Sequence, residues 1–211
     1  MHGEVVAVVP VKPLANAKSR LAVDDDERAD LALAFALDAV GALVGCPLVD
    51  DVVVVTTDPR VAADMRPLGV RIARDDGVGL DRAIRSGVRA VPARRAVAVV
   101  PGDLPCLRPD DVGTVLRAAL AQGGAFVPDL AGTGTTFVVQ AAGSPVRTRY
   151  GDGSADRHRA LGLHGLADAP VRARHDVDTL DDLRSAAGLG LGARTSAVLA
   201  ARDIDLTPAL L

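Results

Sequence analysis

Two kinds of hydrophobic run alternate along the chain and predict alternating strands and helices. The first kind is short, rich in valine and apolar at nearly every position, which is typical of parallel strands covered on both faces. The second kind is longer and rich in alanine and leucine, which favours helices. The predicted strands are Val5–Val11, Val52–Thr56, Val70–Ala73, Ala96–Val100, Ala125–Pro128, Thr136–Gln140 and Val171–Ala173. The predicted helices are Asp26–Leu43, Pro59–Met65, Leu80–Val91, Pro109–Gln122, Ser154–Leu161 and Leu180–Ala187.

The repeated order of strand and helix predicts an α/β fold, a Rossmann-like and mostly parallel open sheet with helices on both faces. No linker, charge block or internal repeat divides the sequence, so residues 1–211 are expected to form one domain. The most apolar stretch, Leu31–Val49, is interrupted by Asp38 and Gly41, which favours an amphipathic helix over a membrane span. The tail after Gly188 has no pattern that places it.

Composition and charge narrow the classes of function. The net charge is −3, and the chain has three Phe, one Tyr and no Trp. A nucleic-acid partner is therefore not expected, because basic surface and stacking platforms are both scarce. Cys46 and Cys106 have no metal-type spacing and are interpreted as buried thiols. Residues Met1–Glu4 lack the basic region of a signal peptide, and we expect a cytoplasmic protein without a membrane partner.

Charged residues follow the first predicted strand, where open α/β sheets bind ligands. Lys12, Lys18 and Arg20 lie within nine residues of one another and could surround a nucleotide triphosphate. Neither the Walker A pattern nor G-x-G-x-x-G follows this strand, so the classical phosphate motifs are excluded. A solvated basic loop is the alternative interpretation.

Acidic residues follow two later elements and suggest a metal site. Asp103 follows the fourth predicted strand, and Asp176 and Asp178 flank one apolar residue, so that both face the same way in an extended segment. Mg²⁺ binds a few carboxylates together with phosphate oxygens and water. The alternatives are an aspartate that binds its own turn and a helix cap formed by Asp178 or Thr179.

Two loops of small residues, Gly132–Thr136 and Gly151–Ser154, are candidate anion sites. Glycine lets backbone amides approach an anion, and hydroxyl groups donate to it. Turn formation and capping, with Ser154 as the N-cap of a helix, are the alternatives. His158 follows Ser154 by one helical turn and would orient it, contact the anion or simply pack.

Six motifs in order along the chain resemble those of the CofC/FbiD family, the phosphoenolpyruvate and 2-phospho-L-lactate guanylyltransferases of coenzyme F-420 biosynthesis. They are P-V-K-P-L-A-N-A-K-S-R-L at 10–21, G-L-D-R-A-I at Gly79–Ile84, P-G-D-L-P at Pro101–Pro105, G-T-G-T-T at Gly132–Thr136, G-D-G-S-A-D-R-H at Gly151–His158 and D-V-D-T at Asp176–Thr179. Each motif is short, but the ordered set spans most of the chain.

The resemblance implies a MobA-like nucleotidyltransferase fold and an Mg²⁺-dependent reaction. In that reaction the phosphate of an acceptor acid attacks the α-phosphorus of GTP and pyrophosphate leaves. Each group of matched residues then has an implied role. Asp103, Asp176 and Asp178 would hold the metal, and Lys12, Lys18, Arg20 and Gly79 would bind the nucleotide, with the loop around Gly77–Asp81 facing guanine. Thr135, or its neighbour Thr136, would bind the acceptor with Gly151 and Ser154, and Asp103 and Lys18 would be catalytic.

These expectations define a function and its alternatives. The bias toward Ala, Arg, Val, Gly and Asp resembles proteins of GC-rich bacteria, for which the resemblance favours phosphoenolpyruvate as acceptor. The same reaction on 2-phospho-L-lactate or 3-phospho-D-glycerate is left open, as are a molybdenum-cofactor or sugar-phosphate enzyme and a non-catalytic nucleotide-binding module. The expected partners are GTP, the acid and a downstream transferase that accepts the product, and a homodimer is left open.

Overall fold

One seven-stranded sheet organises the protein. The computed structural model describes residues 4–74 and 79–206. The strands are β1 Val5–Pro10, β2 Val49–Val55, β3 Arg71–Ala73, β4 Ala96–Val99, β5 Gly124–Pro128, β6 Thr135–Gln140 and β7 His164–Gly165, in the spatial order β3-β2-β1-β4-β6-β5-β7. Strand β6 pairs antiparallel with both β4 and β5, and the other pairs are parallel. The predicted mostly parallel sheet is therefore confirmed, with β6 reversed.

Helices cover both faces of this sheet. They are α1 Asp25–Val44, α2 Pro59–Met65, α3 Leu80–Arg89, α4 Pro109–Leu120, α5 Ser154–Ala160, α6 Val171–Arg174, α7 Leu180–Leu189 and α8 Ala193–Ala201. Strand β1 is buried along its whole length, and its side chains alternate between two cores. Val5, Ala7 and Val9 pack with α1, α2 and α4, whereas Val6 and Val8 pack with α3 and α5. Burial on both faces explains why this strand is apolar at every position.

Local signals set the helix boundaries that the sequence predicts. Asp24 caps α1 in a capping box with Glu27, and Asp58 caps α2 with Pro59 at its first position. All six predicted helices are present. The apolar stretch that begins at Leu31 lies largely in α1, and within the described ranges no helix is both long and apolar enough to cross a bilayer.

One predicted strand is wrong and one strand was not predicted. Val171–Ala173 belongs to the single turn of α6, which Pro170 starts, and the Ala173 carbonyl accepts from Thr136 Oγ1 at 2.6 Å instead of joining a ladder. The seventh strand is β7, which pairs with β5 through His164 and Gly165. Two residues without an apolar run carry no detectable strand pattern.

The two cysteines match their predicted state. Cys46 and Cys106 are free and buried, and burial raises the pKa of the Cys106 thiol to about 11. The Cys106 thiol is therefore not a reactive thiolate at neutral pH, in keeping with a packing role.

The tail that no pattern placed forms α8, which a carboxylate from another helix caps. The N-cap residue of α8 is Gly192, which has no capping side chain. Asp38 of α1 instead accepts from the backbone N–H groups of Arg194 at 3.0 Å and Thr195 at 2.8 Å. A Cβ on Gly192 would lie 2.1 Å from Asp38 Cγ, so glycine is needed for this close approach.

We predict that Asp38→Ala lowers the unfolding free energy, because two helix-terminal N–H groups lose their acceptor. The expected loss is about 1–2 kcal/mol. Asp38→Asn, which keeps one carbonyl acceptor, should fall between wild type and Asp38→Ala in urea unfolding. Equal stability of all three proteins would contradict this role for Asp38.

Candidate active site

A cavity of about 450 Å³ opens at the sheet edge where the parallel strands end. Nine of the predicted site residues line it: Lys12, Lys18, Arg20, Asp103, Thr135, Gly151, Ser154, Asp176 and Asp178. Gly79 does not line the cavity. It is the N-cap of α3, directly before Leu80, which does line it. Chain reversal at β6 explains why Thr135, at the start of a strand, reaches the same edge as residues that follow strand ends.

The predicted guanine loop is only partly described. Gly77 and Val78 lie outside the described residues. Asp81 accepts from Thr148 Oγ1 at 3.0 Å and does not line the cavity. The guanine contact therefore stays a prediction.

The basic loop after β1 is anchored to the protein. Leu14 is buried, and its N–H donates to Asp58 Oδ2 at 2.9 Å. The Ala17 carbonyl accepts from Arg28 Nη1 at 2.7 Å. These contacts hold the backbone of the loop at Leu14 and Ala17, whereas the side chains of Lys12 and Arg20 are exposed to solvent.

Lys18 is the buried cation of this loop. Its side chain is 11% exposed, against 71% for Arg20, and the sequence contains only one other lysine, Lys12. The backbone of Lys18 has φ +50°, a left-handed conformation that non-glycine residues rarely adopt. Strain of this kind persists where the surroundings hold it and is frequent at functional sites.

The ammonium of Lys18 joins two acidic segments. Nζ donates to Asp103 Oδ2 and to Asp178 Oδ1, each at 2.8 Å, and Arg20 also pairs with Asp178. Burial lowers the pKa of Lys18, but Asp103 and Asp178 outweigh it, so this pKa lies above its ordinary value. Burial raises the pKa of Asp178, but Lys18 and Arg20 bring it below its ordinary value. Lys18 and Asp178 are therefore both charged at neutral pH.

A main-chain hydrogen bond brings the two acidic segments together. The N–H of Val177 donates to the Asp103 carbonyl at 3.0 Å, and the Val177 side chain is fully buried. The flanking Asp176 and Asp178 both line the cavity, as the predicted alternation requires. Thr179 caps α7 in a capping box with Asp182, so Asp178 is not the cap.

Of Asp103, Asp176 and Asp178, only Asp176 forms no ion pair among the contacts described. Burial, followed by the charge of Asp103, raises the pKa of Asp176 to about 7. The carboxylates of Asp103, Asp176 and Asp178 thus form the acidic wall of the cavity, with the Lys18 ammonium between Asp103 and Asp178. In the part of the chain that the structure describes, no three His, Cys, Asp or Glu side chains form a ready-made metal cage. Hard carboxylate oxygens on one wall nevertheless suit a cation whose remaining ligands are phosphate and water.

Hydroxyl groups form a second part of the cavity lining, the hydroxyl wall. Ser154 Oγ and Thr135 Oγ1 lie 3.1 Å apart and are hydrogen-bonded, and Thr135 Oγ1 also lies 2.9 Å from His158 Nδ1. Thr136 Oγ1 is directed away, to the Ala173 carbonyl, so of these two neighbours Thr135 belongs to the hydroxyl wall.

The prediction of Ser154 as N-cap is wrong. Gly153, at φ +66°, is the N-cap of α5, and Ser154 is its first residue, with its hydroxyl on Thr135.

Sequence reasoning missed Asp129, which lines the cavity and shapes the loop before Thr135. Its carboxylate accepts from the N–H groups of Thr133 and Gly134, both at 2.9 Å. A Cβ on Gly134 would lie 2.3 Å from Asp129 Oδ2, so only glycine allows this wrap. Asp129 directly follows β5, and the rule that ligand sites follow strand ends could have found it.

We predict that Asp176→Asn stabilises the metal-free protein at pH 8 while Asp178→Asn destabilises it. The folded pKa of Asp176 is about 7, well above an unfolded value of about 3.9. Unfolding free energy therefore falls as pH rises from about 4 to 7, and the penalty is fully present above pH 7.

The expected gain for Asp176→Asn is on the order of 1 kcal/mol, or about 2–4 °C in Tm, and it should vanish near pH 4. Asp178 has the opposite shift, so its replacement removes a stabilising pair with Lys18. Thermal melts with a chelator at pH 5 and pH 8 measure both. A lower Tm for Asp176→Asn at pH 8 would contradict the assignment.

Comparisons with known proteins agree with this geometry. The chain is 48% identical over 200 residues to a phosphoenolpyruvate guanylyltransferase of Streptomyces coelicolor, covering 92% of this chain and 94% of that protein. It is 44% identical over 207 residues to a protein of the same name from Thermomonospora curvata, covering 95% and 90% of the two chains. Among solved structures, a candidate nucleotide-diphospho-sugar transferase from Desulfovibrio desulfuricans G20 shares the fold with a TM-score of 0.69 at 17% identity, over 95% of this chain and 96% of that one.

A family model supports the same assignment. The MobA-like NTP transferase domain matches residues 33–190, which include β2 to α7 and both acidic segments of the cavity. The predicted nucleotidyltransferase fold and enzyme class are therefore confirmed. This chain belongs to the MobA-like NTP transferase family.

Proposed function

We propose that this protein transfers GMP from GTP to phosphoenolpyruvate and releases pyrophosphate, as a step of coenzyme F-420 biosynthesis. The observation that supports this proposal best is that one cavity contains both Lys18 with its acidic partners and the hydrogen-bonded hydroxyl pair of Thr135 and Ser154. The names of seven relatives at 43–48% identity, phosphoenolpyruvate guanylyltransferase, support this acceptor and this nucleotide.

The proposed reaction needs positioning and charge neutralisation more than a protein nucleophile. An oxygen of the acceptor phosphate forms a bond to the α-phosphorus of GTP, and the bond from that phosphorus to the bridging oxygen breaks. Pyrophosphate leaves with the electron pair. The acceptor phosphate is already anionic at neutral pH, so its attack requires no strong general base. Lys12, Lys18 and Arg20 would hold the phosphates of the nucleotide, because all three cations line the cavity.

A divalent cation, Mg²⁺, fits the acidic wall. Asp103, Asp176 and Asp178 would hold it, since their carboxylates face one cavity and Asp176 has a raised pKa that a cation would reverse. When bound, Mg²⁺ neutralises phosphate charge and stabilises the leaving pyrophosphate. The ammonium of Lys18 can then form ion pairs with the carboxylates or with the phosphates, because its side chain is long and flexible.

The hydroxyl wall would bind the acid. Thr135 and Ser154 present a hydroxyl donor beside Gly151, which has no side chain and adopts a φ of +103° that favours glycine. Small polar groups of this kind suit a compact anion. Phosphoenolpyruvate, 2-phospho-L-lactate and 3-phospho-D-glycerate share that chemistry, and the names of the relatives favour the first.

A non-catalytic nucleotide-binding module is the alternative that the acidic wall disfavours. Binding of a triphosphate alone requires cations, whereas three carboxylates facing it would repel it unless a metal ion intervenes. A cytoplasmic location, a downstream transferase and a homodimer remain predictions.

Pyrophosphate release tests the function directly. The purified protein is mixed with Mg²⁺, GTP and each of the three acids in turn, and with GTP alone. We expect release with phosphoenolpyruvate to exceed release with the other two acids and with no acid. Binding of GTP without release of pyrophosphate for any acid would favour the non-catalytic module. If GTP is replaced by another nucleoside triphosphate, faster release of pyrophosphate would favour a different branch of the family.

We predict that Asp103→Asn lowers the rate of pyrophosphate release by at least about a hundredfold, because a neutral amide is a poor Mg²⁺ ligand. Asp110→Asn is the matched control, since Asp110 is exposed in the first turn of α4 and does not line the cavity. It should retain wild-type activity. Activity of Asp103→Asn equal to that of the control would remove Asp103 from the reaction.

We predict that Ser154→Ala raises the KM for the acid by about 10- to 100-fold and leaves the KM for GTP unchanged. A hydrogen bond to a charged group contributes about 1.5–3 kcal/mol, and 1.4 kcal/mol is about tenfold. Ser154 caps no helix, so little stability should be lost. Titration of each substrate at saturation of the other provides the measurement. A larger change in the KM for GTP than in that for the acid would place the acceptor elsewhere.

A further inference from the structure

His158 lies behind the hydroxyl wall and does not reach the cavity. It is fully buried, and its ring packs against Phe126 and Tyr150 with centroids 5.7 and 5.3 Å away. Both ring nitrogens have a hydrogen-bond partner, and one of these partners is Thr135. The proposed reaction assigns no step to this imidazole.

The partner of Nε2 fixes which nitrogen carries the proton. The backbone N–H of Arg149 lies 3.0 Å from His158 Nε2, and a backbone N–H can only donate. Nε2 is therefore the acceptor and carries no proton. A neutral imidazole has one N–H, so that proton is on Nδ1, which donates to Thr135 Oγ1 at 2.9 Å.

The ring is neutral at physiological pH. Burial lowers the pKa of His158 to about 4. Asp81 and the backbone of Ser154 act in the opposite direction, and Arg157 lowers the pKa further. The neighbouring Tyr150 has its own pKa raised by burial and stays protonated, with its hydroxyl donating to the Val99 carbonyl.

The position of the imidazole proton determines what the hydroxyl pair offers to the cavity. Thr135 and Ser154 have two hydroxyl protons between them, and one is used in the hydrogen bond that joins them, whichever residue donates. Because Thr135 Oγ1 accepts from His158, the second proton has no protein partner in the triad and is available to the cavity. With the opposite tautomer, Thr135 would donate to Nδ1 and Ser154 to Thr135, which would leave only lone pairs facing the ligand.

We infer that His158 is a positioning residue that keeps Thr135 and Ser154 as a hydrogen-bond donor toward the cavity and so selects an anionic oxygen of the acceptor acid. This inference rests on the proposed function, because it assigns the acceptor to that wall. His158 acts through Thr135 and touches no substrate. An uncharged ring serves this role better than an imidazolium, since protonation of Nε2 would set it against the N–H of Arg149.

The tautomer is measured directly in the ligand-free protein. Two-bond ¹⁵N–¹H correlation spectra of histidine-labelled protein distinguish the Nδ1–H form, the Nε2–H form and the imidazolium. The chain has four histidines, and the signals of His158 are those lost in His158→Gln. We expect the Nδ1–H form at pH 7, unchanged down to pH 6. The Nε2–H form or an imidazolium at pH 7 would overturn the inference, whatever the enzyme does.

A matched pair of variants separates positioning from packing. The side-chain amide of asparagine lies near the position of Nδ1 and can still donate to Thr135. The amide of glutamine lies near the position of Nε2 and can only replace the acceptor for the Arg149 N–H. We expect His158→Gln to raise the KM for the acid roughly tenfold with the KM for GTP unchanged, and His158→Asn to remain within about threefold of wild type.

The reverse order, or an equal effect in both variants, would show that His158 only supports the Arg149 segment and would overturn the inference. If either variant does not fold, the inference is tested by the tautomer of His158 in the wild-type protein, with the Nδ1–H form as the expected result. Absence of guanylyl transfer by the wild-type protein would instead refute the proposed function, and the spectra would be unaffected.

Discussion

The ion pairs of one ammonium group hold the cavity in its present form. Lys18 Nζ joins Asp103, which follows β4, to Asp178, which precedes α7, although 75 residues separate those two aspartates. Without a cation between them, three carboxylates at one sheet edge would repel one another in a partly buried space. The backbone of Lys18 adopts an unfavourable left-handed conformation to place that charge, and contacts such as that between Leu14 and Asp58 hold the loop in this conformation.

The elements that the sequence predicts are those whose pattern has a local cause. Valine runs buried on both faces, a capping box at Asp24 and prolines at first-turn positions define β1, α1 and α2 almost to the residue. The failures have non-local causes. Val171–Ala173 has strand-like residues but lies in a helical turn whose Ala173 carbonyl accepts from the distant Thr136, and the two residues of β7 form a strand only because they pair with the edge of β5. Neither fact can be seen in a window of sequence.

The residues that line the cavity could largely be predicted from the sequence, whereas their hydrogen-bond partners could not. Strand-end position and motif order identify the charged and hydroxyl groups, because an open sheet brings the carboxyl ends of its strands to one edge. Which hydroxyl binds which partner depends on side-chain direction. Thr135 and Thr136 are adjacent, yet one faces the cavity and the other the Ala173 carbonyl, and Ser154 gives its hydroxyl to Thr135 instead of capping its helix. The role of Asp129 could not be predicted in the same way, because its carboxylate binds backbone N–H groups of a loop, which no motif indicates.

The reversal of β6 has a consequence for how such a protein diverges. The hydroxyl groups of the cavity come from one tract of the chain, β6, α5 and the loops beside them, whereas its cations and metal-binding carboxylates come from the loops after β1 and β4 and from the segment Asp176–Asp178. Under the proposed roles, the first tract binds the acid and the other segments bind the nucleotide and the metal. Substitutions and insertions between residues 129 and 160 can then change the accepted acid while the nucleotide chemistry is inherited intact, so new acceptors arise by remodelling one hairpin and one short helix.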